Sequence, residues 1–301
     1  MNDSGYSKNV AFDRQLSTSS IPMNGTIRRL LKNKVAVFCF IIFLLICLSC
    51  LMAPFLTRWD YHTVNAYNRM APPSSTHIFG TDGLGRDMFS RFLYGGRITL
   101  GIAFLSSIAA MIIGGLVGLI AGFFHDRIDF IITSVLDIIA SIPVIMLAIV
   151  VEAVFGFGRG YFVYAMIIAS IPGFARLVRA SVMTIMGRTY IEAARALGVS
   201  RLSLVFRHIL HNIASPLIVG YMSGLAEALL TCTIMGYLNI GIRPPIPEWG
   251  AIASLAKASM RVSPYLFIIS CSVITACIVS LSLFCDALRD AFDPRDKTNS
   301  P

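Results

Sequence analysis

Three carboxylates of this 301-residue chain stand inside long apolar stretches: Asp137, Glu152 and Glu227. A charge at the centre of a membrane helix costs roughly 2.5–3.5 kcal/mol on insertion scales. Asp137 and Glu227 are therefore expected to face a bundle interior or to be protonated, with Glu227 the acid that lines a path. Glu152 falls near the end of its stretch, where the expected cost is small. The five histidines (His62, His77, His125, His208, His211) are scattered. His208 and His211 are three apart on a predicted helix but have no third ligand nearby. The seven cysteines (Cys39, Cys47, Cys50, Cys232, Cys271, Cys277, Cys285) lie in or beside apolar segments, with no metal spacing and no disulfide framework. They read as small packing residues. Phosphate-loop, Gly-x-Ser-x-Gly and His-Glu-x-x-His patterns are all missing. The sequence thus predicts no catalytic residue, no metal, no cofactor and no ATP site of its own.

One polar stretch has its own helical punctuation. In Tyr190-Ile191-Glu192-Ala193-Ala194-Arg195-Ala196-Leu197-Gly198-Val199-Ser200, Thr189 is a candidate N-cap and Glu192 follows three residues later, the spacing of a capping box. Gly198 suits the position just past a helix end. Ser200 can cap a second helix over about 201–211. Glu192 can be explained as closing its own helix, and Gly198 as turn geometry. A compact, capped, basic corner projecting from a bundle also suits the docking of a partner.

The elements that position these residues follow from composition. Apolar residues make up 56% of the chain and Asp, Glu, Lys and Arg only 14%, against about 25% charged in soluble domains. Val35–Leu56, Ile98–Phe124 and Ser263–Cys285 run 22, 27 and 23 residues without a charge. About 20 residues span the ~30 Å hydrocarbon core. The chain is therefore expected to be an all-α polytopic membrane protein of about six spans: 35–56, 98–124, 130–155, 161–182, 213–237 and 263–285. A tail of residues 1–34 precedes them, its first 20 or so residues expected to be disordered, and a short charged tail, 286–301, follows. Val35–Leu56 is too long, and too far from the start, for a signal peptide.

Arg28, Arg29, Lys32 and Lys34 cluster before the first span, which places the N-terminus inside. An even number of spans returns the C-terminus to the same side. The predicted inner segments then hold 16 of the 25 Lys and Arg. The net charge of +9 is explained by these helix-flanking residues and not by nucleic-acid binding. Gly114, Gly118 and Gly122 recur on one face of span 2, which lets a neighbouring helix approach closely. A glycine-lined pore is the alternative. Asp87 can cap a short helix through Leu93 ahead of that span. Gly80-Thr81-Asp82-Gly83-Leu84-Gly85-Arg86-Asp87 and Pro244-Pro245-Ile246-Pro247-Glu248-Trp249-Gly250 fall in the two predicted outer loops, 57–97 and 238–262.

Glu192-Ala193-Ala194, with Gly198 and then Ile209-Leu210, resembles the EAA loop of ABC-importer permeases. The two outer-loop motifs and Asp286-Ala287-Leu288-Arg289-Asp290-Ala291-Phe292-Asp293-Pro294-Arg295 are similar to signatures of the dipeptide, oligopeptide and nickel branch, second (C-type) permease subunit. His211 stands where the family usually has proline, and Cys232 where it often has an acid. The resemblance implies a type I permease bundle in the bacterial plasma membrane. It implies that residues 183–212 form a coupling loop, in which Glu192, Ala193, Ala194 and Gly198 engage an ATPase. The implied partners are a second homologous permease, two ATP-binding-cassette ATPase subunits carrying the ATPase activity, an extracytoplasmic substrate-binding protein and membrane lipid. Di- or oligopeptides are the implied cargo. Nickel or a metal chelate is the alternative within the branch, and an ion-coupled carrier using Asp137 and Glu227 the alternative outside it. The outer-loop motifs suit docking of the binding protein better than contact with cargo.

Overall fold

The computed structural model describes residues 23–124, 126–156 and 160–292. Most of the predicted N-terminal tail (1–22), His125 and Asp293-Pro294-Arg295 with the rest of the C-terminus lie outside the described residues. Among the described residues there is no strand. The main helices are α1 (Met23–Lys32), α2 (Lys34–Leu51), α3 (Met88–Phe123), α4 (Arg127–Ala140), α5 (Val144–Phe155), α6 (Phe162–Met186), α7 (Thr189–Ala196), α8 (Ala214–Tyr237), α9 (Trp249–Ala258) and α10 (Pro264–Phe292).

Five of these (α2, α3, α6, α8 and α10) are long and apolar enough to cross a membrane, and α4 with α5 makes a sixth, bent pair. Only 22–39% of each long span's apolar window is buried within the chain. The exposed remainder is Leu, Ile, Phe and Val, whose transfer to water would be unfavourable by about 25 cal/mol per Å². These faces need lipid or another membrane chain.

Helix boundaries depart from the sequence expectation at four places. Asp87 caps a helix, its carboxylate accepting the Ser90 amide at 2.8 Å. That helix does not stop at Leu93 but runs on as the 36-residue α3. Gly95 and Gly96 are there for close packing and do not break it. A Cβ at Gly96 would lie 2.3 Å from Cys50 Sγ and 2.7 Å from the Trp249 ring. The expected third span is broken at Ser141-Ile142-Pro143, and α4 and α5 meet at 82°. Pro143 has no amide hydrogen and its ring crowds the preceding turn, which favours a break there. The first span ends at Leu51, ahead of a one-turn helix with Pro54 in its first turn. The last helix continues through Phe292, past the expected end at Cys285.

The glycine face of α3 seats α6. A Cβ at Gly118 would lie 2.3 Å from the Ala175 carbonyl oxygen, and one at Gly114 would lie 2.7 Å from the Ile171 carbonyl oxygen. The small residues thus bring two backbones into contact, in the manner of small-residue membrane interfaces, where hydrophobic exclusion from water is not available as a driving force. The main core lies between α2, α3, α8, α9 and α10, around Phe92, Trp249, Met235 and Leu281. A second core (Val178, Val182, Ile185, Met186, Ile191, Leu204, Ile209, Ile213) sits at the C-terminal ends of α3 and α6.

Candidate functional site

That second core anchors the corner between α6 and α8. Glu192, Ala193 and Ala194 lie on α7, an eight-residue helix, and Gly198 lies just past it. Thr189 is the first residue of α7 and not its cap. Arg188 holds the cap position, and no side chain bonds the first amides. The expected capping box is therefore not formed, and Glu192 is exposed and not engaged with its own helix end. The C-terminal end follows the glycine rule closely. Gly198 has φ +79, its amide donates to Arg195 O at 3.0 Å, and the Val199 amide donates to Ala194 O at 3.1 Å. This is the paired bonding of a Schellman turn. Ser200 then caps the next turn through the Ser203 amide, 3.3 Å. The second arm is not a plain α-helix. Leu204–Ile209 is wound as a π-helical stretch between two short α turns. Such wider turns recur at functional sites.

Burial divides the corner cleanly. Ile191, Leu204, Ile209 and Ile213 face inward and are almost inaccessible. The Tyr190 hydroxyl accepts from Asn212 Nδ2 at 3.4 Å, tying the two arms together. Facing outward are Glu192, Arg195, Arg201 and Arg207, with Leu197 at 84% and Phe206 at 67% of full exposure. A side chain on Gly198 would meet nothing within 4 Å. The corner is packed into the bundle on its inner side and, on its outer side, offers an apolar knob ringed by arginine.

At the other end of α3, the glycine-rich motif folds into itself. Asp82 accepts the amides of Leu84 and Arg86 and pairs with Arg86 Nε at 2.7 Å and with Arg91 Nε at 3.7 Å. The Asp87 carboxylate accepts from His77 Nδ1 at 2.8 Å while also capping α3. The Thr81 hydroxyl bonds the Asn68 carbonyl, and the Tyr265 hydroxyl donates to the carbonyls of Met70 and Ala71 at 3.1 and 2.9 Å. Gly80 and Gly85 adopt φ +74 and +76. Of the eight motif residues only Gly83 and Leu84 are exposed. Against the first turns of α3 sits the Glu248-Trp249-Gly250 segment. Glu248 is buried and caps α9, accepting the Gly250 and Ala251 amides and the Thr99 hydroxyl at 2.9, 2.9 and 3.0 Å. Burial pushes its carboxyl above the ordinary range, and the three donors offset part of that rise. Trp249 Nε1 donates to Phe92 O at 2.9 Å. The sequence reading did not single out Glu248 as a buried cap. The clue was its place directly before a short apolar run, the N-cap position.

The three acids of the apolar stretches have different fates. Glu152 lies near the end of its span, as expected, but is fully buried there, and it accepts the Phe162 amide at 3.2 Å, at the first turn of α6. A helix N-terminus favours a carboxylate there. Asp137 is not turned to the interior. It is exposed and pairs with Arg176 of α6 at 2.9 Å. Glu227 is exposed on α8 and lines a cavity of about 300 Å³ with Pro143, Gly173 and Arg176. The structure therefore brings Asp137, Arg176 and Glu227 to one region, and keeps Glu152 apart from it. Cys232, by contrast, is wholly buried.

The chain's resemblances to known proteins agree with this architecture. Residues 114–297 match the family described as "binding-protein-dependent transport system inner membrane component". Residues 22–73 match the "N-terminal TM domain of oligopeptide transport permease C". The chain is 38% identical over 272 residues to the glutathione transport system permease protein GsiD of Pectobacterium atrosepticum, covering 90% of each. It is 35% identical over 281 residues to the dipeptide transport system permease protein DppC of Alkalihalophilus pseudofirmus, covering 93% of this chain and 92% of the relative. The di/tripeptide permease DppC of Pseudomonas aeruginosa is 34% identical, over 88% of this chain and 89% of its own. Among solved structures, the inward-facing MetNI methionine ABC transporter superposes with TM-score 0.52 at 17% identity, over 64% of this chain and 92% of that one. At that identity the likeness speaks for the fold. Five or six apolar spans, a family match over more than half the sequence and relatives aligned almost end to end give one conclusion: this multi-pass chain belongs to the binding-protein-dependent transport system inner-membrane components, the permeases of bacterial inner membranes.

Proposed function

We propose that this chain is one of two homologous permease subunits of an ATP-driven importer of di- or oligopeptides, and that residues 183–212 are the seat of an ATPase subunit. The observation that carries the reading is the corner's division: Ile191, Leu204 and Ile209 fix it to the bundle, while Leu197, Phe206 and the arginines are exposed. Exposed aromatic and aliphatic anchors rimmed by arginine suit a protein partner. Two ATP-binding-cassette subunits supply the hydrolysis, and an extracytoplasmic binding protein delivers cargo to the face built from 57–97 and 238–262. Glu192, Ala193, Ala194 and Gly198 form the contact and its hinge, so closure of the ATPase pair moves α6 and α8 through a rigid lever. Both termini lie in the cytoplasm, and residues 35–285 are the permease domain. The named relatives, which carry glutathione, dipeptides and di/tripeptides, support peptide cargo.

Co-purification tests the coupling reading. The tagged chain, expressed with its partner subunits, is compared with a Gly198→Asp, Glu192→Lys double variant. ATPase subunits are expected with the wild type and lost with the variant at equal membrane insertion. ATPase capture unchanged by the variant would sink the assignment of 189–198. Peptide uptake by the complete transporter in vesicles tests the cargo.

A further inference from the structure

The break between α4 and α5 opens the cavity that Glu227 lines. Its walls come from the break itself (Ile142, Pro143, Val144), from α6 around Pro172 and Gly173, and from α8. Pro143, Pro172 and Gly173 all line it, and Pro172 removes a further backbone hydrogen bond within α6. Interrupted helices at membrane depth are tolerated where they line a cavity and not where they meet lipid.

Two opposite charges share this cavity. Arg176 lines it and is paired with Asp137 on α4, but the two side chains stay 51% and 60% exposed, so the pair can open without unburying either group. Glu227 lines it from α8 and takes part in no ion pair among the described residues. An ionisable side chain on a membrane helix is costly unless a partner or water compensates it. A cation and an anion, on different helices and open to one small space, are complementary to a molecule carrying both charges. The uncapped first turn of α5 borders the space on the side of Pro143, which adds a partial positive charge there.

We infer that this cavity is a transit subsite for zwitterionic peptides: Arg176 exchanges Asp137 for the peptide's α-carboxylate, and Glu227 receives the α-ammonium group. At about 300 Å³ the space is at the small end of ligand sites. An extended chain advances only ~3.3–3.6 Å per residue, so two or three residues match it better than a long oligopeptide. Asp137 then acts as the stand-in for cargo, holding Arg176 ready while the cavity is empty. The site rests on the peptide-importer reading above.

The test uses the complete transporter in nanodiscs without the binding protein, with labelled dialanine as probe and N-acetyl-dialanine and dialanine amide as competitors. Wild type is expected to bind dialanine and to prefer it over both blocked forms. Glu227→Gln is expected to weaken dialanine binding at least tenfold and to erase the preference for a free amine, and Glu227→Asp to restore much of both. Arg176→Gln is expected to erase the preference for a free carboxylate. If it does not assemble, the Glu227 pair decides alone. Absence of dialanine binding to wild type, or equal discrimination in all variants, overturns the subsite. The importer reading stands or falls separately, on peptide uptake by wild-type vesicles supplied with the binding protein.

Discussion

At one end of α3, Asp82, Arg86, Asp87 and Glu248 are buried and bonded to one another or to backbone amides. At the other end, Glu192, Arg195, Arg201 and Arg207 are exposed. The glycines divide in the same way. Gly85 and Gly198 have nearly equal φ, +76 and +79, yet a Cβ on Gly85 would lie 1.8 Å from the Asn65 carbonyl while one on Gly198 would meet nothing. Both ends carry motifs of turn glycines and charges, and in sequence they look equally functional. The difference lies in where the hydrogen-bonding capacity goes. A motif that consumes its own polar groups builds a platform. A motif that leaves them outward leaves them to water or, in the reading proposed above, to another molecule.

The contrast is broken most severely at the buried end. Gly236 packs so closely on the Glu248 cap that a Cβ there would lie 1.7 Å from Glu248 Oε2. Gly236→Ala must displace a buried carboxylate from three donors. Overpacking of this kind costs typically 1–3 kcal/mol and the orphaned donors a similar amount again. Thermal unfolding in detergent is expected to fall by an amount matching several kcal/mol. Gly198→Ala, with open space but a left-handed backbone, is expected to cost only about 1–2 kcal/mol. Equal losses for the two would end the distinction.

Asp82→Ala is the next largest expected effect. It leaves Arg86 and Arg91 buried without their carboxylate, and removing one partner of a buried pair costs about 3–5 kcal/mol, less here to the extent that water reaches Asp82. The chain is expected to insert but to melt early, with ATPase subunits still captured by the corner at the other end. Loss of that capture would mean the two ends are not independent.

Titration of Glu248 sharpens the contrast more gently. Its folded carboxyl is raised by burial, so the folded state holds more protons than the unfolded one above the ordinary carboxylate range of about 4.3. Stability therefore falls as pH rises through that window and levels off once the folded group has ionised. Glu248→Gln is expected to lower the melting temperature at every pH, because an amide nitrogen then faces an amide donor, and to flatten the slope. A slope unchanged in the variant would assign the pH dependence to another group.

Much of this architecture was legible in the sequence because membrane helices are written in length and charge. The uncharged runs 35–56, 98–124 and 263–285 fall on spanning helices, and the glycine spacing in α3 announced the close approach of a neighbouring helix, which is α6. The break at Pro143 was visible as a residue but was read through, since apolar runs continue on both sides of it. The short helix expected to end at Leu93 instead runs on through Gly95-Gly96: glycine signals both turning and close packing, and only the neighbour, Trp249, decides between them. The Asp82–Arg91 contact and the Glu152–Phe162 bond join residues whose pairing depends on tertiary placement, which spacing does not encode. At the corner, Gly198 was legible because its turn is local. The failed capping box at Thr189 shows the limit of the same logic, since a spacing permits a cap without requiring it.

The smallest expected effect on the fold belongs to Leu197. It is 84% exposed at the tip of the corner and joins neither hydrophobic core. Substitutions at such positions usually change stability by within about 0.5 kcal/mol, so Leu197→Asp is expected to leave the melting temperature where it was. If the corner seats an ATPase, Leu197 is its most prominent apolar anchor, and truncating an anchor of an interface costs about 2 kcal/mol or more. A buried aspartate at the contact adds desolvation to that loss. ATPase capture is therefore expected to drop at least thirtyfold, the factor that about 2 kcal/mol implies at 1.4 kcal/mol per tenfold, with transport falling in step. A variant that binds and transports as wild type would show that exposure alone does not mark a contact, and would move the seat to Phe206 and the arginines of the second arm.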